Sequence, residues 1–387
     1  MKSVLYIGGL TANEKGAVGV HTSGILKALE KKLGASVQGV FYSFAQPAYS
    51  LKRVIIFDAP IPLGIFYKIW IRISYIRFVN ALLKNKKFDL IYTRFDPFVT
   101  PFIRKNGARM AIEYNDIFMD QIKFVVEKGE WTGLNKKIRS SWLYENFILS
   151  AEKKSFFSAD RVVCVTSALV DYCDSVSSSK KGLLIENASD VDYYNVKELV
   201  TYDDDQLIMS HIGTLTYWDG LEPLINALYL CKMENSDFKF RFNIVGSGAV
   251  YNRIRLLCNK YDLNSDIQFS PPVIHSEAVR YLKNTDVVPL LKDIDTYGLS
   301  PIKFYESIAM GCFIIASDIP HINNFPDYVG MVVSYPLDEG EISNALYYAF
   351  KNKKLIRERK EKVLEYAHAN HAWDSRVKTL LEAFQLE

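Results

Sequence analysis

"SPIKFYESIAMGCFIIASD", Ser300 to Asp318, reads as a short helix, a tight stop and a buried strand. Ser300 is a good N-cap, and Pro301 suits the first helical position, where a missing N–H costs nothing. Gly311 suits the position just past the helix end, which favours a left-handed backbone. The spacing predicts a helix of about ten residues. "CFIIASD" follows as an apolar strand with no alternation, the pattern of a strand covered on both faces of a parallel sheet.

The same alternation extends through the whole chain. "SVLYIGG", "SVQGVFYSF", "FDLIYTRFD", "ARMAIEYND", "ADRVVCVTSAL" and "KKGLLIENASD" read as strands in the first half, with "HTSGILKALEKKL" as an amphipathic helix. "QLIMSHIGTL", "FKFRFNIVGSG", "DIQFSPPV", "VVPLL" and "GMVVSYP" read as strands in the second, separated by helices such as "EPLINALYLCKM", "IRLLCNKYDL" and "SEAVRYLKNTD". The fold class is therefore α/β, with two doubly wound, Rossmann-like parallel sheets. A chain of 387 residues is too long for one ordinary core. The polar, acidic stretch around 190–206 is the expected boundary.

In open parallel sheets, ligands sit beyond the carboxyl ends of the strands. This directs attention to Gly8-Gly9, Arg94, Asn115-Asp116, Asn187, Gly213-Thr214, Gly246 to Gly248, Pro272-Val273 and Asp295 to Ser300. Two such sheets facing each other are expected to form a cleft between domains.

Composition narrows the function classes. Hydrophobic residues make up 49% and charged residues 24%, which excludes global disorder. The five cysteines show no CxxC spacing and read as reduced thiols of a cytoplasmic protein. The opening apolar run is too short for a signal peptide, and no apolar run reaches the roughly 20 residues that span a bilayer. The net charge of +3 hides an asymmetry: residues 1–190 hold 27 Lys+Arg against 17 Asp+Glu, and residues 191–387 hold 20 against 27. A basic half implies an anionic partner. No nucleic-acid motif accompanies it, so nucleic acid is not expected as a partner.

Lys303 and Glu306 stand one turn apart behind the Ser300-Pro301 helix start. One reading is an anion site, with Gly298 allowing close backbone approach, Lys303 supplying charge and Glu306 accepting from hydroxyls. The other is a capped surface helix with an i, i+3 ion pair. "IVGSG" has a G-x-G after a strand but lacks the third glycine of a dinucleotide fingerprint. His21 opens the first helix after a glycine loop, where a cap or packing residue is the commoner role. His211, inside an apolar strand, reads as a core residue, and His275 as a loop residue. No histidines or carboxylates have metal-ligand spacing, so no metal is expected.

The order of these pieces resembles the retaining, nucleotide-sugar-dependent glycosyltransferases of family 4, which have the GT-B fold. The strings that carry the resemblance are "HIGTLTYWDGLEPLINAL", "NIVGSG", "IQFSPPV" and "SPIKFYESIAMGCFIIASD", with looser matches in the first half. The resemblance implies domains at 1–195 (acceptor side) and 205–370 (nucleotide-sugar side), with a last helix at 371–387 packing back on the first domain. It implies a donor site of Gly213, Thr214, Gly246, Val273, Gly298, Leu299, Ser300, Lys303 and Glu306. Glu306 would bind ribose hydroxyls, Lys303 the phosphates, and the backbone of Val273 the base. Glu306, Lys303 and Asn115 are the implied catalytic residues, while Gly9, Gly19, His21 and Asp116 would line the cleft from the first domain.

No cofactor is implied, since a UDP- or GDP-linked sugar is the substrate. The implied reaction is sugar transfer with retention to a glycan or polyprenyl-diphosphate-linked acceptor, as in bacterial capsule, exopolysaccharide or O-antigen assembly. Three positions depart from the family pattern: Gly298 replaces the first glutamate of E-x7-E, Asp219 replaces a basic residue, and Asn115 replaces a histidine. They motivate one alternative, a catalytically inactive partner subunit. A second is a non-hydrolysing nucleotide-sugar epimerase.

"IFYKIWIRISYIRFVNALLKNKK" mixes aromatic and basic residues, with Lys68, Arg72 and Arg77 bunched toward one side of a helix. Such a helix can lie in a membrane interface or pack within its domain with a solvated basic face. The expected location is the cytoplasm, with peripheral contact at the inner face of the cytoplasmic membrane through the basic first domain.

Overall fold

The computed structural model describes residues 2–8, 17–42, 54–57, 67–127, 133–189, 205–293, 300–320 and 323–386. Gly9, Gly298 and Leu299 lie outside the described residues, as does most of the 190–206 boundary stretch. The chain divides into two compact units. Met1–Asn187 and Trp373–Glu387 belong to the first, and Ala188–Asp295 and Pro301–Ala372 to the second.

The first unit opens with β1 (Val4–Gly8), α1 (Ala17–Leu33), β2 (Val37–Tyr42), β3 (Val54–Phe57) and α2 (Tyr67–Asn85). It continues with β4 (Leu90–Arg94), β5 (Arg109–Tyr114), α3 (Phe118–Glu127), α4 (Gly133–Arg139) and α5 (Trp142–Ser158). It ends in β6 (Arg161–Cys164), α6 (Ser167–Ser177) and β7 (Gly182–Leu184). The strands form one seven-stranded sheet in the order β3-β2-β1-β4-β5-β6-β7.

The second unit runs β8 (Leu207–Ile212), α7 (Leu221–Glu234), β9 (Phe240–Val245), α8 (Tyr251–Lys260), β10 (Ile267–Ser270) and α9 (His275–Lys283). After these come β11 (Val287–Leu290), α10 (Ile302–Ile308), β12 (Phe313–Ser317) and β13 (Gly330–Val333). Helices α11 (Glu339–Lys351), α12 (Lys353–Glu358) and α13 (Lys360–Asn370) follow, and α14 (Trp373–Ala383) rejoins the first unit. The six-stranded sheet has the order β10-β9-β8-β11-β12-β13.

Every strand pair in both sheets is parallel. In each sheet the order reverses beside the first strand of the unit, and the doubly wound class holds. β1 and β12 are buried along their whole length, as continuous apolar runs require. The second core gathers Met209, Ile244, Phe242 and Ile315 from the strands with Leu224, Leu228 and Leu346 from the helices above them. The first gathers Ile7, Ile91, Ile112 and Val162 with Tyr75, Val79 and Phe156.

Three local expectations are corrected. The helix behind Ser300 begins at Ile302 and spans seven residues rather than about ten, because Pro301 sits at φ −72°, ψ 124°, extended rather than helical, and takes the cap position expected for Ser300. Its end matches the sequence: Gly311 takes φ +72°, its N–H donates to the Ile308 carbonyl, and the Cys312 N–H reaches the Ser307 carbonyl. Helix α1 starts at Ala17, so Gly19 is a helical residue rather than a loop residue, and His21 lies inside the helix rather than at its start. His275 opens α9 instead of lying in a loop.

Helix α14 packs on α1. Trp373 lies against Gly24, where an added Cβ would fall 2.1 Å from the indole Nε1.

Candidate functional site

In the second unit, the carboxyl ends of β8, β9 and β11 and the start of α10 converge on Lys303. Gly213 follows β8 with φ +126°, and a Cβ there would fall 2.9 Å from Lys303 Cε. Gly246 follows β9 with φ +145°, and a Cβ there would fall 1.9 Å from the Gly213 carbonyl oxygen. Two bare glycines thus stack the loops closely enough for the lysine stem to pass over them.

The Lys303 ammonium lies 3.2 Å from His211 Nε2 and 3.4 Å from Asp219 Oδ1. Lys292, after β11, holds the same Asp219 oxygen at 2.5 Å. The other Asp219 oxygen accepts from the Thr216 N–H and hydroxyl. Two ammonium groups therefore share one carboxylate, and the cluster keeps a surplus positive charge.

The titrations follow from this burial and crowding. Burial pulls the Lys303 pKa down to about 8, with repulsion from Lys292 adding to it and Asp219 opposing it. Burial also drives His211 down to about 3, with the Lys303 charge next in effect. The imidazole is thus neutral, and its Nε2 accepts from Lys303 while the ring also bonds to the Thr214 backbone. For Asp219 burial opposes ionisation, but the Lys303 and Lys292 charges overcome it and hold the carboxyl far below its usual range. His211 is buried as its sequence context predicts, but its ring is a partner of Lys303 rather than an inert core group.

Glu306 stands one turn on, its Oε1 2.8 Å from His275 Nε2. Lys303, Glu306, His211 and His275 line a small cavity of about 30 Å³ with Ser210 and Leu290. The i, i+3 pair read as an alternative for Lys303 and Glu306 does not form; each has a different partner. Val273 is half-buried in the turn after β10, two residues before His275. Thr214 is exposed, and Ser300 is buried. The structure thus brings Gly213, Gly246, Lys303 and Glu306 together.

The first unit has its own buried polar cluster at the ends of β4 and β5. His21 Nε2 lies 2.9 Å from Glu113 Oε2, and Nδ1 lies 2.8 Å from Asn187 Oδ1. Tyr92 donates to Glu113 Oε2 at 2.7 Å, and Asn115 Nδ2 to Glu113 Oε1 at 2.7 Å. Burial alone would raise the Glu113 pKa; the His21 charge and hydrogen bonds outweigh it and set it at about 2. Asn115 Oδ1 is buried without a partner. Asp116 accepts from the Ile117 N–H and the Gln121 amide, which makes it the local anchor of α3. Gly19 is buried within α1.

Sequence reasoning missed the parts played by Asp219, Lys292 and Glu113. Asp219 stood out only as an acid where the family has a base. Lys292 had no motif around it.

Residues 192–375 match the family described as "Glycosyl transferases group 1". No curated protein matches the chain at a significant level. The fold is the GT-B fold of known glycosyltransferases. Sucrose-phosphate synthase from Thermosynechococcus elongatus superposes with a TM-score of 0.73 at 15% identity, covering 99% of this chain and 98% of that one. Anabaena HepE, solved in complex with UDP and glucose, gives a TM-score of 0.70 at 12% identity over 100% of both chains. WaaG, a glycosyltransferase involved in lipopolysaccharide biosynthesis, gives 0.69 at 12% identity, covering 98% and 99%.

Proposed function

We propose that this protein transfers a sugar, with retention, from a UDP- or GDP-linked donor to a glycan or polyprenyl-diphosphate-linked acceptor. The observation that carries the reading is the Lys303 cluster: Lys303 and Glu306 line one cavity, and behind them Lys303 shares the Asp219 carboxylate with Lys292. A nucleoside diphosphate needs both features, positive charge for its phosphates and a carboxylate for its ribose hydroxyls.

In the proposed reaction negative charge grows on the leaving diphosphate as the sugar–phosphate bond breaks. Preorganised cations lower that barrier because they are already in place when the charge develops. Lys303 does this directly. Neutral His211 and anionic Asp219 hold its ammonium in position, and no metal is called for where lysines supply the charge. Glu306 exchanges His275 for the ribose. On the acceptor side, Glu113 holds the Asn115 amide nitrogen, which leaves Oδ1 to accept from an incoming hydroxyl.

The acid at 219 need not disable the site, because Lys292 brings a cation to the same carboxylate from β11. This favours an active transferase over an inactive partner subunit. HepE binds UDP and WaaG acts in lipopolysaccharide biosynthesis, which supports a nucleotide donor and a bacterial surface-polysaccharide pathway. We place the protein in the cytoplasm, touching the membrane through its basic first unit. Among the described residues, no helix is long and apolar enough to cross a membrane.

A thermal-shift panel of nucleotide sugars identifies the donor, and NMR of the product reads its anomeric configuration. Lys303→Ala and Glu306→Ala should each abolish transfer while keeping the wild-type circular dichroism. Full turnover in both variants would remove the site assignment, an inverted product would remove retention, and product formed without acceptor would point to an epimerase.

A further inference from the structure

Large apolar side chains are exposed unevenly. Of the eighteen exposed among the described residues, ten fall between Ile69 and Phe157 on α2, α4, α5 and the segment before β5. Trp142 and Leu143, at the start of α5, are each 72% exposed. On α2, the buried stripe of Ile71, Tyr75, Val79 and Leu83 faces the sheet. Its outward stripe at spacings of three and four is Trp70, Ile73, Arg77, Ala81 and Lys84.

These faces are continuous. Arg72 of α2 lies 4.6 Å over the Phe98 ring, and Phe98 stacks on Phe147 of α5 at 5.2 Å. Lys154 of α5 lies over exposed Phe102 at 4.8 Å.

The charge on the helices that carry this surface is mostly positive, with Glu127 of α3 beside Arg139 as an exception. Helices α2 and α4 contain no Asp or Glu. Of the two in α5, Glu145 is paired with Lys123 at 2.9 Å, and Glu152 is buried beneath the Tyr114 and Tyr172 hydroxyls. Among the described residues, Arg77, Lys84, Lys136 and Lys137 have no carboxylate partner. Exposed tryptophan and leucine among unneutralised lysines match a negatively charged surface with an apolar interior beneath it. A second copy of the chain fits poorly, because a two-fold contact would set this positive face against itself.

We propose that this face docks on an anionic lipid bilayer, with Trp142 and Leu143 entering the headgroup boundary and Lys136, Lys137 and Arg77 meeting lipid phosphates. The docking face rests on the membrane contact in the proposed function and is independent of the sugar-transfer reading. It extends well beyond α2 to α4 and α5.

The test is flotation of the full chain with phosphatidylcholine vesicles, with and without phosphatidylglycerol. Wild type should float only with the anionic vesicles and be released by high salt. The pairs Trp142→Ala with Leu143→Ala, and Lys136→Ala with Lys137→Ala, should each cut the bound fraction at least about tenfold. Their melting temperatures should stay at the wild-type value, since these side chains are exposed. Wild-type flotation that neither pair reduces would leave a membrane protein with another docking face. Wild type that never floats would remove the membrane contact itself and leave nucleotide-sugar transfer untouched. Dimers in sedimentation velocity that the substitutions dissolve would assign the face to a second copy.

Discussion

Asp219→Asn removes the charge that two lysines share and keeps the shape of the side chain. At 3.4 Å, the Lys303–Asp219 attraction is about 5 kcal/mol at an effective dielectric near 20, an upper figure. Lys303 is 26% exposed, so water screens part of it. Lys292 is 5% exposed and lies in a nearly dry site. Truncating one partner of a buried ion pair costs about 3–5 kcal/mol because the survivor stays buried and unpaired. We therefore expect about 3 kcal/mol of destabilisation at pH 7.

The loss should depend on pH in a set direction. Above about 8, wild-type Lys303 has released its proton, and only the Lys292–Asp219 pair remains to be broken. The difference between wild type and variant should then shrink to about 2 kcal/mol at pH 9.5. Urea denaturation of the full chain, followed by circular dichroism, reads this directly. A slope of about 3 kcal/mol per molar turns the expected loss into a midpoint shift of about 1 M for the second unit at pH 7. A shift that is negligible at pH 7, or that grows between pH 7 and 9.5, would refute the shared-carboxylate account.

UDP binding should weaken about tenfold between pH 7 and pH 9, since only the protonated fraction of Lys303 attracts phosphate; titration calorimetry across that range checks it. Gly213→Ala, with its Cβ 2.9 Å from Lys303 Cε, should displace the lysine and weaken UDP binding by about 1–3 kcal/mol, measured by calorimetry. Gly24→Ala drives a Cβ into the Trp373 indole and should destabilise the first unit by about 2 kcal/mol, with a change in tryptophan fluorescence.

The architecture was legible because its strands are continuous apolar runs of a kind that parallel sheets require. The Schellman-type close at Gly311 was legible too, since a left-handed position strongly favours glycine. The start of the same helix was not, because Pro301 fits both an extended cap and a first helical turn. Lys303 and Glu306 could be read from local spacing, three residues apart behind a helix start. Their partners could not. Asp219 lies 84 positions from Lys303, His211 lies 92, and Lys292 lies 73 from Asp219. Glu113 sits inside the apolar string "MAIEY", where nothing local reveals that His21 lies 2.9 Å from its carboxylate. Contacts of that range are made by sheet order, which no single motif encodes.

The central claim is a donor-nucleotide site built on Lys303 and Glu306. Calorimetric titration of the full chain with UDP and with GDP at pH 7, for wild type, Lys303→Ala and Glu306→Ala, tests it most directly. The account predicts that wild type binds at least one of the two nucleotides and that each variant loses at least about tenfold in affinity. Wild type that binds neither nucleotide, or variants that bind as wild type does, would contradict it.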